Sequence, residues 1–260
     1  MVSKQILEDL KSYGLPIIGV GDHGRLPPVG DDAELMKGPD VRLEQLHRNA
    51  GPIARFAEFL RKGGDAADWP ATTWDDERKG GVMVRPKGAI SVERMARADQ
   101  VICAYNRTRA AVNDRIRAER WPDGFTRNAP PPGDRVICLF NGRGRFNGQQ
   151  GVAADVRPAT AGDAHGPEIR FIPDGVQVHA DDGWVLTHPE FWGKGKYPKL
   201  SANRAGMEDI ATRGVPFDFA YCLTAHKMQG DQADKIVVLE ERCDLWEHAR
   251  WAYTAASRAA

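Results

Sequence analysis

The sequence has no surplus of charge of either sign. Its 36 basic residues balance 36 acidic ones, for a formal net charge of zero. A global field that draws in nucleic acid is therefore excluded, and any groove for it must be a local basic patch. Cysteine is scarce: Cys103, Cys138, Cys222 and Cys243 are widely spaced, with no C-x-x-C pair. The first three sit in apolar runs. They read as buried thiols of a reducing cytoplasm, neither disulfides nor zinc ligands. The seven histidines show no ligand pairing with them, so no metal site is expected. No apolar run approaches the ~18 residues of a membrane span, and none reads as a signal peptide. The expectation is a soluble cytoplasmic chain without a membrane partner.

The 260 residues are 42% hydrophobic, enough for one large or two small domains with a real core. Periodicity predicts a helix from Ser3 to Lys11, with Ser3 as N-cap, and a short strand from Pro16 to Val20. A second amphipathic helix runs from Gly51 to Lys62, and the Gly- and Pro-rich stretch from Asp65 to Gly88 reads mostly as loop. A helix from Ser91 to Asp99, a strand from Gln100 to Tyr105 and a basic helix from Arg107 to Arg120 follow. This alternation fits a doubly wound α/β sheet.

The pattern changes at Trp121. Pro130-Pro131-Pro132-Gly133 breaks all periodicity, and short strand-like runs follow at 135–140, 151–156, 168–172, 175–179 and 184–186. Turn residues between them predict a small antiparallel barrel. Trp184 and Trp192 read as barrel core, with base stacking as the alternative. The α/β pattern resumes near Val215.

The richest stretch comes next. The apolar run Phe217 to Leu223 leads into Thr224-Ala225-His226-Lys227-Met228-Gln229-Gly230-Asp231-Gln232, and Ile236 to Leu239 follows. Strand, polar loop and strand is the natural reading, and ligands of open α/β sheets bind where such strands end. Near the start, Gly21-Asp22-His23-Gly24-Arg25-Leu26-Pro27-Pro28-Val29-Gly30 forms a rigid loop after the Pro16 strand. The chain closes on Trp251-Ala252-Tyr253-Thr254-Ala255-Ala256-Ser257-Arg258, which is helix-prone.

These stretches, in this order, resemble superfamily 1 DNA helicases, most closely the RecD/Dda-like branch, superfamily 1B. GDHGRLPPVG resembles motif III, LTAHKMQGDQADKIVV motif V, and YTAASRA motif VI. Leu46-His47-Arg48 with Ile53, Ala57 and Leu60-Arg61 resembles motif IV. Val101 to Asn106, with Arg109 and the run Val112 to Arg117, resembles the next family block. Asn147-Gly148-Gln149-Gln150-Gly151 resembles the NGxxG turn of the family's inserted barrel.

The resemblance implies a fold: a RecA-like second helicase domain of the P-loop NTPase type (41–120 and 216–260), an inserted SH3-like β-barrel (121–215), and a remnant of the first RecA-like domain (1–40). It also implies roles. Asp22, Arg25, Arg48 and Arg258 would belong to the catalytic centre, with Arg48 and Arg258 directed at the nucleotide. Arginine is suited to that work because a guanidinium stabilises charge spread over phosphoryl oxygens. Thr224, His226, Lys227 and Gln229 would hold single-stranded DNA, and Asn106 and Arg109 would contact its backbone. Gly230 and Gln232 would face the nucleotide. ATP and Mg2+ are the implied cofactors, and translocation would run 5′→3′. Arg25 stands where the family has glutamine, and Gln232 where it commonly has glutamate.

One element is missing. No G-x-x-x-x-G-K-[ST] stretch occurs, so nothing in the sequence can wrap a triphosphate in glycine N–H groups and supply the lysine and hydroxyl. Set against the family, the chain would start just after the Walker B pair and stop within motif VI. The expectation is a helicase fragment without ATPase activity of its own. Two alternatives stand beside it: a non-catalytic DNA-binding or regulatory module, and half of a split helicase completed in trans by a P-loop-bearing N-terminal polypeptide.

Overall fold

The computed structural model describes residues 2, 4–27, 38–41, 51–76, 80–123, 125–142, 144–176, 183–200, 204–244 and 246–259. In chain order the elements begin with α1 (Lys4–Ser12), α2 (Pro52–Arg61), β1 (Thr72–Asp75), β2 (Gly80–Met83), α3 (Val92–Ala96), β3 (Gln100–Cys103) and α4 (Asn106–Arg120). They continue with β4 (Asp134–Cys138), β5 (Gln150–Arg157), β6 (Glu168–Pro173), β7 (Trp184–Leu186), α5 (Arg204–Arg213), β8 (Phe217–Phe219), β9 (Cys222–Thr224), β10 (Ile236–Val238) and α6 (His248–Ala256). The fold is mixed α/β. Two compact units divide it: Met1–Pro86 with Arg242–Ala260, and Lys87–Glu241. Among the described residues no helix is long and apolar enough to cross a membrane.

In the second unit a three-stranded parallel sheet has the order β10-β3-β9. The central strand β3 is buried at every residue, as expected of a parallel strand covered on both faces. Ser91 caps α3, its Oγ accepting from the Arg94 N–H at 3.4 Å. From α4, Val112 and Ile116 pack with Met95, Val101, Cys103, Tyr221 and Cys222 into one core.

A five-stranded antiparallel sheet, order β7-β6-β5-β4-β8, completes the unit. Its core gathers Val136, Ala153, Ile169, Phe171, Trp192, Phe217 and Phe219. Trp192 is fully buried there and packs against both Phe217 and Phe219. Trp184 lies under the Arg157 guanidinium, 3.7 Å from ring centroid to Cζ.

The run Phe217 to Leu223 is not one strand. Phe217–Phe219 pairs with β4 in the antiparallel sheet, whereas Cys222–Thr224 pairs with β3 in the parallel one. Asn113 of α4 holds the switch. Its Nδ2 donates to the Phe219 and Cys222 carbonyls at 3.2 and 3.1 Å, and its Oδ1 accepts from the Cys222 N–H at 2.8 Å. An apolar run shows no such break, because both halves are equally buried.

In the first unit α2 packs against α6. Pro52 opens α2 at a position where a missing N–H costs nothing. Gly63, at φ 88°, ends it, with the Gly64 N–H donating back to the Phe59 carbonyl at 3.0 Å. The stretch expected as loop after Asp65 contains the β1–β2 hairpin. Periodicity does not predict helix α5 either.

Pro16 to Val20, expected as a strand, forms no regular element and pairs with no strand among the described residues. Ile18 and Val20 are about nine-tenths exposed, at 90% and 92%. A strand exists only through its ladder, and among the described residues this segment has no neighbouring strand to bond. Helix α1 buries none of its residues. Ser3, Leu46, His47, Arg48 and residues 177–179 of the strand expected at 175–179 lie outside the described residues.

Candidate functional site

Two clusters, one in each unit, contain the described candidate residues other than Asn106 and Arg109 of α4. In the first unit the loop Gly21–Pro27 meets α6. Tyr253 donates its hydroxyl to Asp22 Oδ2 at 2.7 Å, and the Leu26 N–H donates to Thr254 Oγ1 at 3.0 Å. Asp22 Oδ1 accepts from the Gly24 N–H at 3.0 Å, and its Oδ2 also takes Arg25 Nε at 3.2 Å. Gly24 lies close under the neighbouring side chains: a Cβ there would stand 3.1 Å from both Arg61 Cγ and Tyr253 Cε1, so either would have to shift by a few tenths of an ångström. Burial, with the Asp22 carboxylate beside it, pushes the Tyr253 hydroxyl up to about 12. Arg61 is locked to Glu58 by bonds of 2.7 and 2.9 Å, which hold the Glu58 carboxyl below its usual range.

Arg258 lies two residues past α6 and is buried, with Nη2 donating to Ser257 Oγ at 3.1 Å. Its guanidinium is not presented to solvent in this arrangement. Asp22 is already engaged by the Gly24, Arg25 and Tyr253 donors. Mg2+ usually takes one or two carboxylates together with substrate phosphates, and no group of three or more His, Cys, Asp or Glu among the described residues could hold a metal ion. The sequence holds no glycine loop with lysine and hydroxyl to wrap a triphosphate, so the described residues do not by themselves make a complete nucleotide site.

The second cluster is the loop after β9. Thr224 is buried at the strand end, its carbonyl accepting from the Met228 N–H at 3.0 Å and its Oγ1 from the Lys227 N–H at 3.4 Å. These bonds wind 225–230 into a tight turn that Gly230 closes at φ 105°. His226 and Gln229 are half-buried, and Gly230 and Gln232 are exposed. Burial lowers the His226 pKa, so its ring is neutral at pH 7. Burial, together with the Arg109 charge, also lowers Lys227.

This loop is joined to the turn that precedes β5. Lys227 Nζ donates to Asn147 Oδ1. Gln150 Nε2 reaches Asp231 Oδ2 at 3.1 Å and Met228 Sδ at 3.8 Å. The domain boundaries expected from sequence put these two segments apart. Nothing in local spacing marks partners that stand 80 positions from one another.

Asn106 and Arg109, expected as DNA-backbone contacts, fare differently. Asn106 is exposed at the start of α4, where its Oδ1 accepts from Arg109 Nε at 3.3 Å. Arg109 is buried, ion-paired with Asp218, bonded to the Lys194 carbonyl at 2.5 Å and stacked on the Tyr197 ring at 4.6 Å. Asp218 also accepts from Tyr197 Oη at 2.7 Å and from the Gly193 N–H at 2.8 Å. A guanidinium held this way braces α4 against the antiparallel sheet and has no face to offer a phosphate. Arg117 is likewise buried, 2.7 Å from Asp134 and stacked on Phe219. The basic helix is thus less basic at its surface than its composition suggests.

Glu241 occupies the N-terminus of α4. Its Oε2 accepts from the Ala104 and Tyr105 N–H groups at 2.9 and 3.2 Å, and its Oε1 from Thr108 Oγ1 at 2.5 Å. A carboxylate there satisfies donors the helix leaves open and meets the positive end of its dipole.

No family model and no curated protein matches the sequence. Solved structures do show similarity. A Pif1 helicase from Bacteroides in complex with ADP-AlF3 and ssDNA is 16% identical, over 92% of this chain and 58% of its own, with a TM-score of 0.47. The Pif1 helicase from Candida albicans is 18% identical, over 80% of this chain and 50% of its own, with a TM-score of 0.43. A structure of two coordinating Pif1 helicases at forked dsDNA is 16% identical, over 83% and 46%, with a TM-score of 0.40. The chain thus spans about half the length of these proteins. At such identities the likeness does not extend to residue roles.

Proposed function

We propose that this chain is part of an ATP-dependent DNA motor of superfamily 1B, resembling its RecD/Dda-like branch. It would supply the second RecA-like domain, the SH3-like insertion and the end of the first RecA-like domain. The observation that carries the reading is the pairing of the loop at Asp22 with the helix at Tyr253 and Thr254. Two stretches that resemble motifs III and VI, at opposite ends of the sequence, bond directly to one another.

In this reading Thr224, His226, Lys227 and Gln229 hold single-stranded DNA, with Asn106 at the edge of the lane. His226, neutral at pH 7, contributes by stacking and not by charge. Arg25, Arg48 and Arg258 keep their assignment toward a nucleotide, Arg258 only if its buried guanidinium turns outward, and Gly230 and Gln232 keep theirs as nucleotide contacts. ATP and Mg2+ belong to the complete enzyme, where a glycine loop of the G-x-x-x-x-G-K-[ST] type, absent from this sequence, would wrap the phosphates. Arg109 is assigned to packing.

A second reading, a single-stranded-DNA-binding module without catalysis, is favoured by the missing G-x-x-x-x-G-K-[ST] stretch. Both readings predict DNA binding and no ATP turnover by the purified chain. Co-purification separates them. Capture of a P-loop-bearing partner, with DNA-stimulated ATP hydrolysis in the mixture that Arg258→Ala abolishes, supports the motor. DNA-stimulated hydrolysis by the pure chain, or no binding of single-stranded DNA, overturns the proposal.

A further inference from the structure

The turn before β5 carries an aromatic side chain that the assignments above leave unused. Phe146 is 66% exposed, although aromatic rings of this size normally contribute to a core. Its position is held firmly. Gly142 and Arg145 exchange N–H to carbonyl bonds at 3.0 and 3.1 Å. The Phe146 carbonyl accepts from the Gln149 N–H at 3.0 Å, and the next N–H, of Asn147, donates to Asn141 Oδ1 at 2.8 Å. Gly148, at φ 99°, then bonds back to the Cys138 carbonyl at 2.8 Å. An exposed ring on so constrained a backbone loses little entropy when it meets a ligand.

What lies beside the ring indicates the ligand. Asn147, its immediate neighbour, accepts from Lys227 Nζ, and Lys227 follows His226 in the loop after β9. Gln150 fastens the same turn to Asp231 and Met228. A cation, an imidazole and an exposed phenyl ring are therefore brought onto adjoining turns. A charge for the phosphate beside an aromatic face for the base is the combination that binds single-stranded nucleic acid without reading its sequence.

We propose that Phe146 is a base-stacking residue, and that the 141–151 turn extends the single-stranded-DNA lane from the 224–232 loop onto the antiparallel sheet. The inference rests on the proposed reading of the 224–232 loop as a single-strand site. The lane thereby gains one base platform, held in register with Lys227 through Asn147.

The test uses the full chain and a fluorescein-labelled oligo(dT), with binding read by anisotropy across a salt series. Phe146→Ala and Phe146→Leu should weaken binding about five- to hundredfold, the range for loss of one base stack. The salt slope should not change, because no phosphate contact is removed. Phe146→Trp should bind at least as tightly as the wild type. Replacing the oligonucleotide with an abasic one of equal charge should erase the difference between the wild type and Phe146→Ala. Equal affinity of wild type and both small variants for oligo(dT) would overturn the stacking role while leaving the binding site intact. Failure of the wild-type chain to bind oligo(dT) at all would overturn the underlying reading as well.

Discussion

Tyr253 donates a 2.7 Å hydrogen bond to Asp22 across 231 positions of chain. The segment just before that loop, Ile17 to Val20, is largely exposed, so the loop is held from its other side, by this bond and by the Leu26 N–H bond to Thr254. The bond therefore positions Asp22 as well as contributing stability. Tyr253→Phe should cost ~1.5–3 kcal/mol, the range for a hydrogen bond to a charged group. Urea denaturation followed by tryptophan fluorescence would read it. A double-mutant cycle with Asp22→Ala should show coupling, because both changes remove the same interaction.

The strand switch at residues 220–221 depends on one buried amide. Asn113→Ala removes its bonds to Phe219 and Cys222 and leaves their backbone groups unpaired inside the protein. Each such group costs ~1–3 kcal/mol, so a loss of at least ~2 kcal/mol is expected. Asn113→Asp should be destabilising too, because a carboxylate cannot donate to the two carbonyls. Thermal denaturation would compare the two.

Arg117 and Asp134 form an ion pair with both side chains fully buried. Removing one partner of such a pair typically costs ~3–5 kcal/mol, and Arg117→Met should fall in that range at pH 7. Burial already raises the Asp134 pKa, and Arg117 offsets that in part. Without Arg117 the carboxyl rises further and takes up a proton more readily in the folded state. The folded variant then binds more protons than the unfolded one, so its stability falls as pH rises. The deficit against wild type should accordingly narrow as pH falls from 7 to about 4.5, toward the ordinary carboxylate range. A constant deficit across that range would contradict the account.

His226 gives a pH dependence of opposite sign. Burial holds its pKa below the ordinary value of 6.5. Between the two values the unfolded chain binds the extra proton, so stability is complete above pH 6.5 and declines as pH falls through the folded value. His226→Gln should remove that part of the decline in a series of urea titrations. An unchanged slope would mean the ring is not desolvated.

Much of this molecule is legible in its sequence, and the reasons for the rest are physical. Helices α2 and α4 follow from periodicity, and β3 from a continuous apolar run, because local pattern determines burial. The burial of Cys103, Cys138 and Cys222 follows from the runs around them. The break within Phe217 to Leu223 is hidden because a change of sheet leaves hydrophobicity unaltered. The commitment of Arg109 to Asp218 is hidden because partners 109 positions apart share no local signal. The strand expected at Pro16 fails for the opposite reason: its local pattern is right, but a strand needs a neighbour. The Lys227–Asn147 bridge belongs to the same class as Arg109, a long-range side-chain contact that motif spacing does not contain.

The central claim is that the 224–232 loop is a site for single-stranded DNA. The most direct measurement is the affinity of the purified chain for labelled oligo(dT) against a duplex of equal length, across a salt series, with Lys227→Ala alongside. The account predicts saturable binding that favours the single strand, with the logarithm of affinity falling linearly against the logarithm of salt. Lys227→Ala should weaken it and reduce that slope by about one. No binding, equal binding to duplex, or an unchanged slope in Lys227→Ala would contradict it.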